Sequence, residues 1–162
     1  MSGAVKWGAD PALLRDPVHF LAFGFGSGLM PRAPGTFGTL VAVPIVAAVM
    51  QFGFAAHLAF AVAACALGVY LCGESARRLG VHDHPGIVWD EITGYTVTML
   101  AAPPDWPWFV GGFVLFRCFD IVKPWPIREA DHSLSGGVGI MLDDIIAGIF
   151  AAAILLGIKL LF

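Results

Sequence analysis

Seven ionisable side chains lie inside or at the lips of otherwise apolar stretches: Asp90, Glu91, Arg117, Asp120, Lys123, Asp143 and Asp144. A charge in hydrocarbon is costly, so a chain that keeps such residues in three separate stretches is expected to use them. Clustered carboxylates repel one another unless a proton or a cation intervenes, and an all-oxygen donor set suits Mg²⁺. Arg117, Asp120 and Lys123 follow one another at intervals of three, which puts a metal-ligating acid between two phosphate-binding bases on one helical face. The pattern points to metal-assisted chemistry on a phosphate group. An intrahelical ion pair between Arg117 and Asp120 would explain those two residues but not the other four acids, which have too few bases nearby. In each adjacent pair, Asp90 with Glu91 and Asp143 with Asp144, the side chains point about 100° apart, so spacing alone does not say which member faces the site.

Two glycine-bearing segments, 34–39 and 136–139, precede apolar helices. Gly35 and Thr36 in the first and Gly137 in the second are expected to offer backbone amides to a phosphate at a helix N-terminus, although an ordinary Thr36 cap would use the same residues. His82, Asp83 and His84 offer a possible zinc site, but the neighbouring acids supply oxygen rather than the nitrogen and sulfur that zinc prefers, which disfavours zinc and leaves His82 or Asp83 to orient the site or relay a proton. His19 and His57 lie in apolar surroundings and are read as structural. Cys72 and Arg78 share the spacing of cysteine-dependent phosphatases, but the intervening residues continue a helix and put Glu74 beside the thiol, which argues against a thiolate nucleophile. Cys65 and Cys72, seven residues apart on one helix, are about 10 Å from each other and too distant for a disulfide.

The elements that must position these groups follow from composition. A mean hydropathy of +0.81, with 58% hydrophobic and 13% charged residues, excludes an ordinary water-soluble domain. The expected fold class is all-α, a polytopic membrane helical bundle with about five transmembrane helices at 37–52, 55–78, 88–101, 108–121 and 140–161. The hinge at Gln51, Phe52 and Gly53 divides the long uncharged run, and Pro103 and Pro104 end the third span. Residues 18–30 are short for a span and read as a re-entrant or interfacial helix, with a tilted sixth span as the alternative. Residues 1–16 read as a polar tail without a cleavable signal peptide, and 17–162 as a single membrane domain. With the amino terminus inside, eight of the nine basic residues fall on the cytoplasmic side, and all five acids lie at one depth near that face. Trp89 and Trp125 are expected at the same interface.

Four ordered motifs carry a family resemblance: Pro34-Gly35-Thr36; His82-Asp83 through Asp90-Glu91; Phe116-Arg117 through Asp120, Lys123 and Arg128; and Gly136-Gly137-Val138-Gly139 through Asp143-Asp144. Together, across residues 17–156, they resemble phosphatidylglycerophosphatase A. The resemblance implies a bacterial inner-membrane, Mg²⁺-dependent phosphatase that converts phosphatidylglycerophosphate to phosphatidylglycerol and inorganic phosphate, with its active site facing the cytoplasm. The expected metal ligands are Asp90, Glu91, Asp120, Asp143 and Asp144; Arg117 and Lys123 would bind the phosphate, with Arg128 at the rim. Attack by water is favoured because no activated serine or cysteine is evident, and an aspartyl-phosphate route stays open. Alternatives are a phosphatidyltransferase, for which no Asp-Gly-x-x-Ala-Arg helix is present, and a transporter, which would place its charges near the midplane. No nucleic-acid partner is expected, and oligomeric state is not readable: Gly24 and Gly28 serve intramolecular packing or a dimer equally well.

Overall fold

Prolines and glycines cut the apolar sequence into helices. The structure, a computed structural model, describes residues 10–129 and 134–161. Among the described residues six α-helices follow in order: α1 Pro17–Ala22, α2 Pro34–Met50, α3 Phe54–Leu79, α4 Trp89–Thr98, α5 Trp106–Val122 and α6 Gly136–Leu161. Shorter 3-10 segments occupy Pro11–Arg15, Gly24–Leu29 and Met99–Ala101, and no strand occurs among the described residues. Gly53, at φ 89°, turns the chain between α2 and α3 at the expected hinge. Pro34 and Pro107 sit in the first turns of α2 and α5, where a missing amide hydrogen costs nothing.

Among the described residues two helices, α3 and α6, are long and apolar enough to cross a membrane, fewer than the five read from hydropathy. Each has 26 residues, about 39 Å of helix, whereas α2 and α5 have 17 and α4 only 10. The difference has a physical cause in α4. Apolar residues there face other helices, and Trp89, Ile92, Thr93, Gly94, Tyr95, Thr96 and Thr98 are all buried. Thr93, Thr96 and Thr98 each donate their hydroxyl to the carbonyl one turn back, at 2.7–2.9 Å, so the rod carries no unsatisfied hydroxyl into the core. Helices α2, α3, α5 and α6 all pack on it. Trp89 is accordingly not an interfacial residue: it is buried and donates its indole N–H to the Ala64 carbonyl at 3.0 Å. Trp125 does lie on the surface, 76% exposed.

The segment 18–30 does not form a sixth span. Helix α1 ends after six residues, and Phe25 and Gly26 take left-handed backbone angles inside the following turn. The Asp16 carboxylate caps α1 through the Val18 amide at 2.8 Å and accepts from Arg78 on α3 at 2.5 Å, so the start of α1 is tied to the end of α3. Both apolar-site histidines are structural, as expected: His19 hydrogen-bonds Ser75 at 2.8 Å, and His57 donates to the Thr96 carbonyl at 3.0 Å. Outward faces carry Val62, Val110, Val114, Ile149 and Leu156, each exposed. So extensive an apolar surface belongs to a membrane-associated protein.

Helix α4 meets α6 backbone to backbone. A Cβ at Gly94 would lie 2.7 Å from the Asp144 carbonyl and 2.5 Å from the Phe116 ring, and one at Gly148 would strike the Gly94 carbonyl. Gly94→Ala should therefore push the two helices apart and cost about 1–3 kcal/mol. Thermal unfolding in detergent checks this, and an unchanged Tm would show that the crossing tolerates a methyl group.

Candidate active site

One cavity of about 240 Å³ gathers charged side chains from three helices and one loop. Helix α4 contributes Asp90 and Glu91 from its first turn, where the positive end of the helix dipole favours carboxylates. Helix α5 contributes Arg117 and Asp120 near its end and Lys123 as its C-cap, a left-handed residue at φ 45°. Helix α6 contributes Asp143 and Asp144, both buried. The start of α2 closes the cavity with Ala33, Pro34 and Gly35, and the 80–88 loop adds Asp83, His84, Pro85 and Ile87. Gly35 allows this closure, because a Cβ there would collide with Glu91 Oε1 and reach 3.1 Å from Arg117 Nη1.

Charges inside the cavity are unevenly paired. Arg117 Nη1 donates to Asp120 Oδ2 and lies 3.6 Å from Glu91 Oε1, while Lys123 Nζ donates to Asp143 Oδ2 at 2.7 Å. Asp90 Oδ1, Glu91 Oε2, Asp144 Oδ1 and Arg117 Nε are buried without a hydrogen-bond partner. Two groups of carboxylates have oxygens within 4.8 Å of one another, Asp90 with Glu91 and Asp144, and Asp120 with Asp143 and Asp144. Three buried, unpartnered carboxylate oxygens in a convergent all-oxygen set fit a hard divalent cation, and the unpartnered guanidinium nitrogen beside them fits an anion.

Residues 20–159 match the family model for Phosphatidylglycerophosphatase A. The Escherichia coli (strain K12) protein named phosphatidylglycerophosphatase A is 47% identical over 143 residues, 88% of this chain and 83% of that one. The chain belongs to the phosphatidylglycerophosphatase A family. The Haemophilus influenzae protein of the same name is 44% identical over 148 residues, 90% of this chain and 91% of its own. A Bacteroides thetaiotaomicron protein provisionally named a phosphatidylinositol-3-phosphatase is 39% identical over 135 residues, 79% of this chain and 84% of its own. No solved structure matches the chain. The family match encloses every residue that lines the cavity.

Against the expectations for this phosphatase family, the cavity brings together Asp90, Glu91, Arg117, Asp120, Lys123, Asp143 and Asp144, with Gly35 and Asp83 in its wall. Four other expected residues stand outside that wall. Thr36 is half-buried on α2, its amide bonded to the Ala33 carbonyl at 3.0 Å, and His82 and Arg128 are exposed. Gly137 lies within the first turn of α6, where a Cβ would meet the Val69 carbonyl and the Gly73 amide, so it serves the packing of α6 on α3. Cys72 is buried in continuous helix with its sulfur 3.8 Å from Met141 Sδ, away from any phosphate-binding loop.

His84 is weighed by sequence reasoning only as half of a disfavoured zinc pair, with no place in the phosphate site. It lines the cavity, its Nδ1 accepts the Gly86 amide hydrogen at 3.0 Å, and burial pushes its pKa below the ordinary histidine value against the pull of Asp83. The ring is therefore neutral at pH 7 with its proton on Nε2. No periodicity exists in a loop to say that His84, rather than His82, turns inward.

Uncompensated carboxylates make a stability prediction. Asp144→Asn removes like-charge repulsion at a buried position, so in chelator the variant should unfold at the same or a higher temperature than the parent, by about 2–4 °C for each kcal/mol gained. A clear fall in Tm would mean that the Asp144 charge is already satisfied within the protein.

Proposed function

We propose that this membrane-associated phosphatase hydrolyses the terminal phosphomonoester of phosphatidylglycerophosphate, yielding phosphatidylglycerol and inorganic phosphate for phospholipid synthesis, and that it does so with Mg²⁺ at the cytoplasmic face of a bacterial inner membrane. The observation that carries the reading is the meeting, in one cavity, of three unpartnered carboxylate oxygens with an unpartnered guanidinium nitrogen. All five helices from α2 to α6 are taken to lie within the bilayer as one domain, the short α4 sheltered by the others.

Asp90, Glu91 and Asp144, with Asp120 and Asp143 beside them, would hold Mg²⁺. When bound, the cation supplies Lewis-acid neutralisation of the phosphoryl oxygens. The chain's own residues do the rest. Arg117 presents Nε to the phosphate from a site whose other guanidinium face is already fixed by Asp120, so the group is pre-oriented before substrate arrives. Lys123 adds a second positive charge on a flexible stem at the cavity lip. Gly35, which has no side chain in the way, lets the α2 amino terminus approach the anion. His84 offers Nε2–H, a neutral donor suited to a hydrogen bond with the oxygen of the leaving group. The attacking water approaches from the side opposite that oxygen, and a carboxylate of the cavity takes its proton.

Purified protein in detergent should release phosphate from phosphatidylglycerophosphate with Mg²⁺ and stop on addition of a chelator; release that survives chelation would remove the cation. Arg117→Ala should lower kcat on the order of 10³-fold, and Asp90→Asn retaining full activity would take Asp90 out of the site. Phosphatidylinositol 3-phosphate, offered in parallel, should be the poorer substrate. A cysteine placed at Arg128 should react with an impermeant thiol reagent only from the cytoplasmic side, and labelling from the outside would reverse the topology.

A further inference from the structure

The cavity's two carboxylate groups differ in what already neutralises them. Around Asp90, Glu91 and Asp144 three buried oxygens have no partner, and the nearest base is Arg117, 3.6 Å from Glu91. Around Asp120, Asp143 and Asp144 the spacing is the same, yet Arg117 already hydrogen-bonds Asp120, and Lys123 holds Asp143 at 2.7 Å. Asp144, 3% exposed, belongs to both groups. Two side-chain cations thus stand at the second group, while the first has almost none.

We propose, resting on the phosphatase reading above, that the cavity holds two divalent-cation sites that fill in order. The first, at Asp90, Glu91 and Asp144, is occupied without substrate. The second, at Asp120, Asp143 and Asp144, opens only when a phosphate group draws Lys123 off Asp143, while Arg117 keeps its hold on Asp120. Charge balance sets the order. With every group ionised, the five carboxylates of the two groups, Asp83 in the wall and two bases leave the cavity at minus four, and one divalent ion brings it to minus two. A phosphomonoester dianion returns it to minus four and so recruits a second ion. Lys123 is placed for such an exchange: it ends α5, its side chain is 30% exposed, and its ammonium sits on a four-carbon stem. Linkage requires the reciprocal effect, so the second ion tightens phosphate by the factor with which phosphate tightens the ion.

Manganese(II) is the probe, counted by the loss of its free electron paramagnetic resonance signal on titration into the purified protein in detergent. The parent should bind one Mn²⁺ per chain alone and two with inorganic phosphate present. Asp143→Asn should keep the first ion and lose the second. Lys123→Ala should take up the second ion without phosphate, at least about tenfold more tightly than the parent does under the same conditions. Two ions in the phosphate-free parent, a phosphate-dependent second ion that survives Asp143→Asn, or a Lys123→Ala protein no different from the parent would each overturn the ordered scheme. Hydrolysis of phosphatidylglycerophosphate, assayed on the same preparation, reports on the phosphatase reading separately: activity with a failed count rejects the order alone, and no activity with Mg²⁺ rejects the reaction.

Discussion

The close crossing of α4 and α6 fixes the geometry of the site. Gly94 and Gly148 let the two backbones touch, and each glycine lies four residues after a cavity acid, Asp90 on α4 and Asp144 on α6. Four residues is about one helical turn, so the two carboxylates are carried along the same contact line and delivered side by side. No loop has to hold them. Phe116 packs on Gly94 from α5, one residue before Arg117, so the same contact also registers the guanidinium against the acids. Rigid elements position three of the cavity's charged groups through one knot of packing, and the small residues there are what the knot is made of.

Helix direction reinforces this arrangement electrostatically. The acids Asp90 and Glu91 sit in the first turn of α4, and Lys123 caps the carboxyl end of α5. These three charges lie where the backbone dipole favours them, which offsets part of the cost of collecting seven charges in a confined space. Asp143 and Asp144 have no such help, being two turns inside α6. Lys123 meets Asp143, and Asp144 is left with an unpartnered oxygen. The cavity is therefore most anionic at its deepest point, where α4 and α6 touch.

Much of this arrangement is legible in the sequence, and the reasons for the failures are specific. Charged residues in apolar surroundings stand out whatever the fold, so the seven that line the cavity can be named from residue types and spacing alone. Their convergence follows from counting helices and placing bases on one side. Hydropathy, however, registers apolarity and not what the apolar face touches. Residues 88–101 read as a transmembrane span, yet α4 has only ten residues, seven of them buried by protein, and Trp89 spends its indole N–H on a carbonyl of α3 rather than at a headgroup. Glycine runs carry the same ambiguity. Gly35 and Gly137 both stand at the start of apolar helices, but only the first lies against the cavity, while the second is a helix-packing position against Val69 and Gly73. His84 escapes because loop direction is set by Pro85 and the Gly86 amide hydrogen bond, which no repeat in the sequence announces.

The uneven pairing of charge also bears on stability. A buried carboxylate oxygen without a partner carries a desolvation penalty that the fold must absorb, and three such oxygens in one cavity are a cost to folding without a cation. A ligand that binds only the folded chain removes that cost, so cation binding and folding stability are linked in this protein by mass action. The same imbalance suits a lipid substrate. Ile121, Val122 and Trp125 adjoin Lys123 along the chain and are each at least 68% exposed, an apolar collar beside a charged residue of the cavity. A phosphomonoester whose acyl chains remain in hydrocarbon meets that collar with its tails and the acids and bases with its head. Under the proposed reading, the protein keeps its strongest field where the substrate's own charge must come and leaves to the substrate the task of completing the cation set. The cost that these carboxylates place on folding and the selectivity for a charged headgroup then have a single origin.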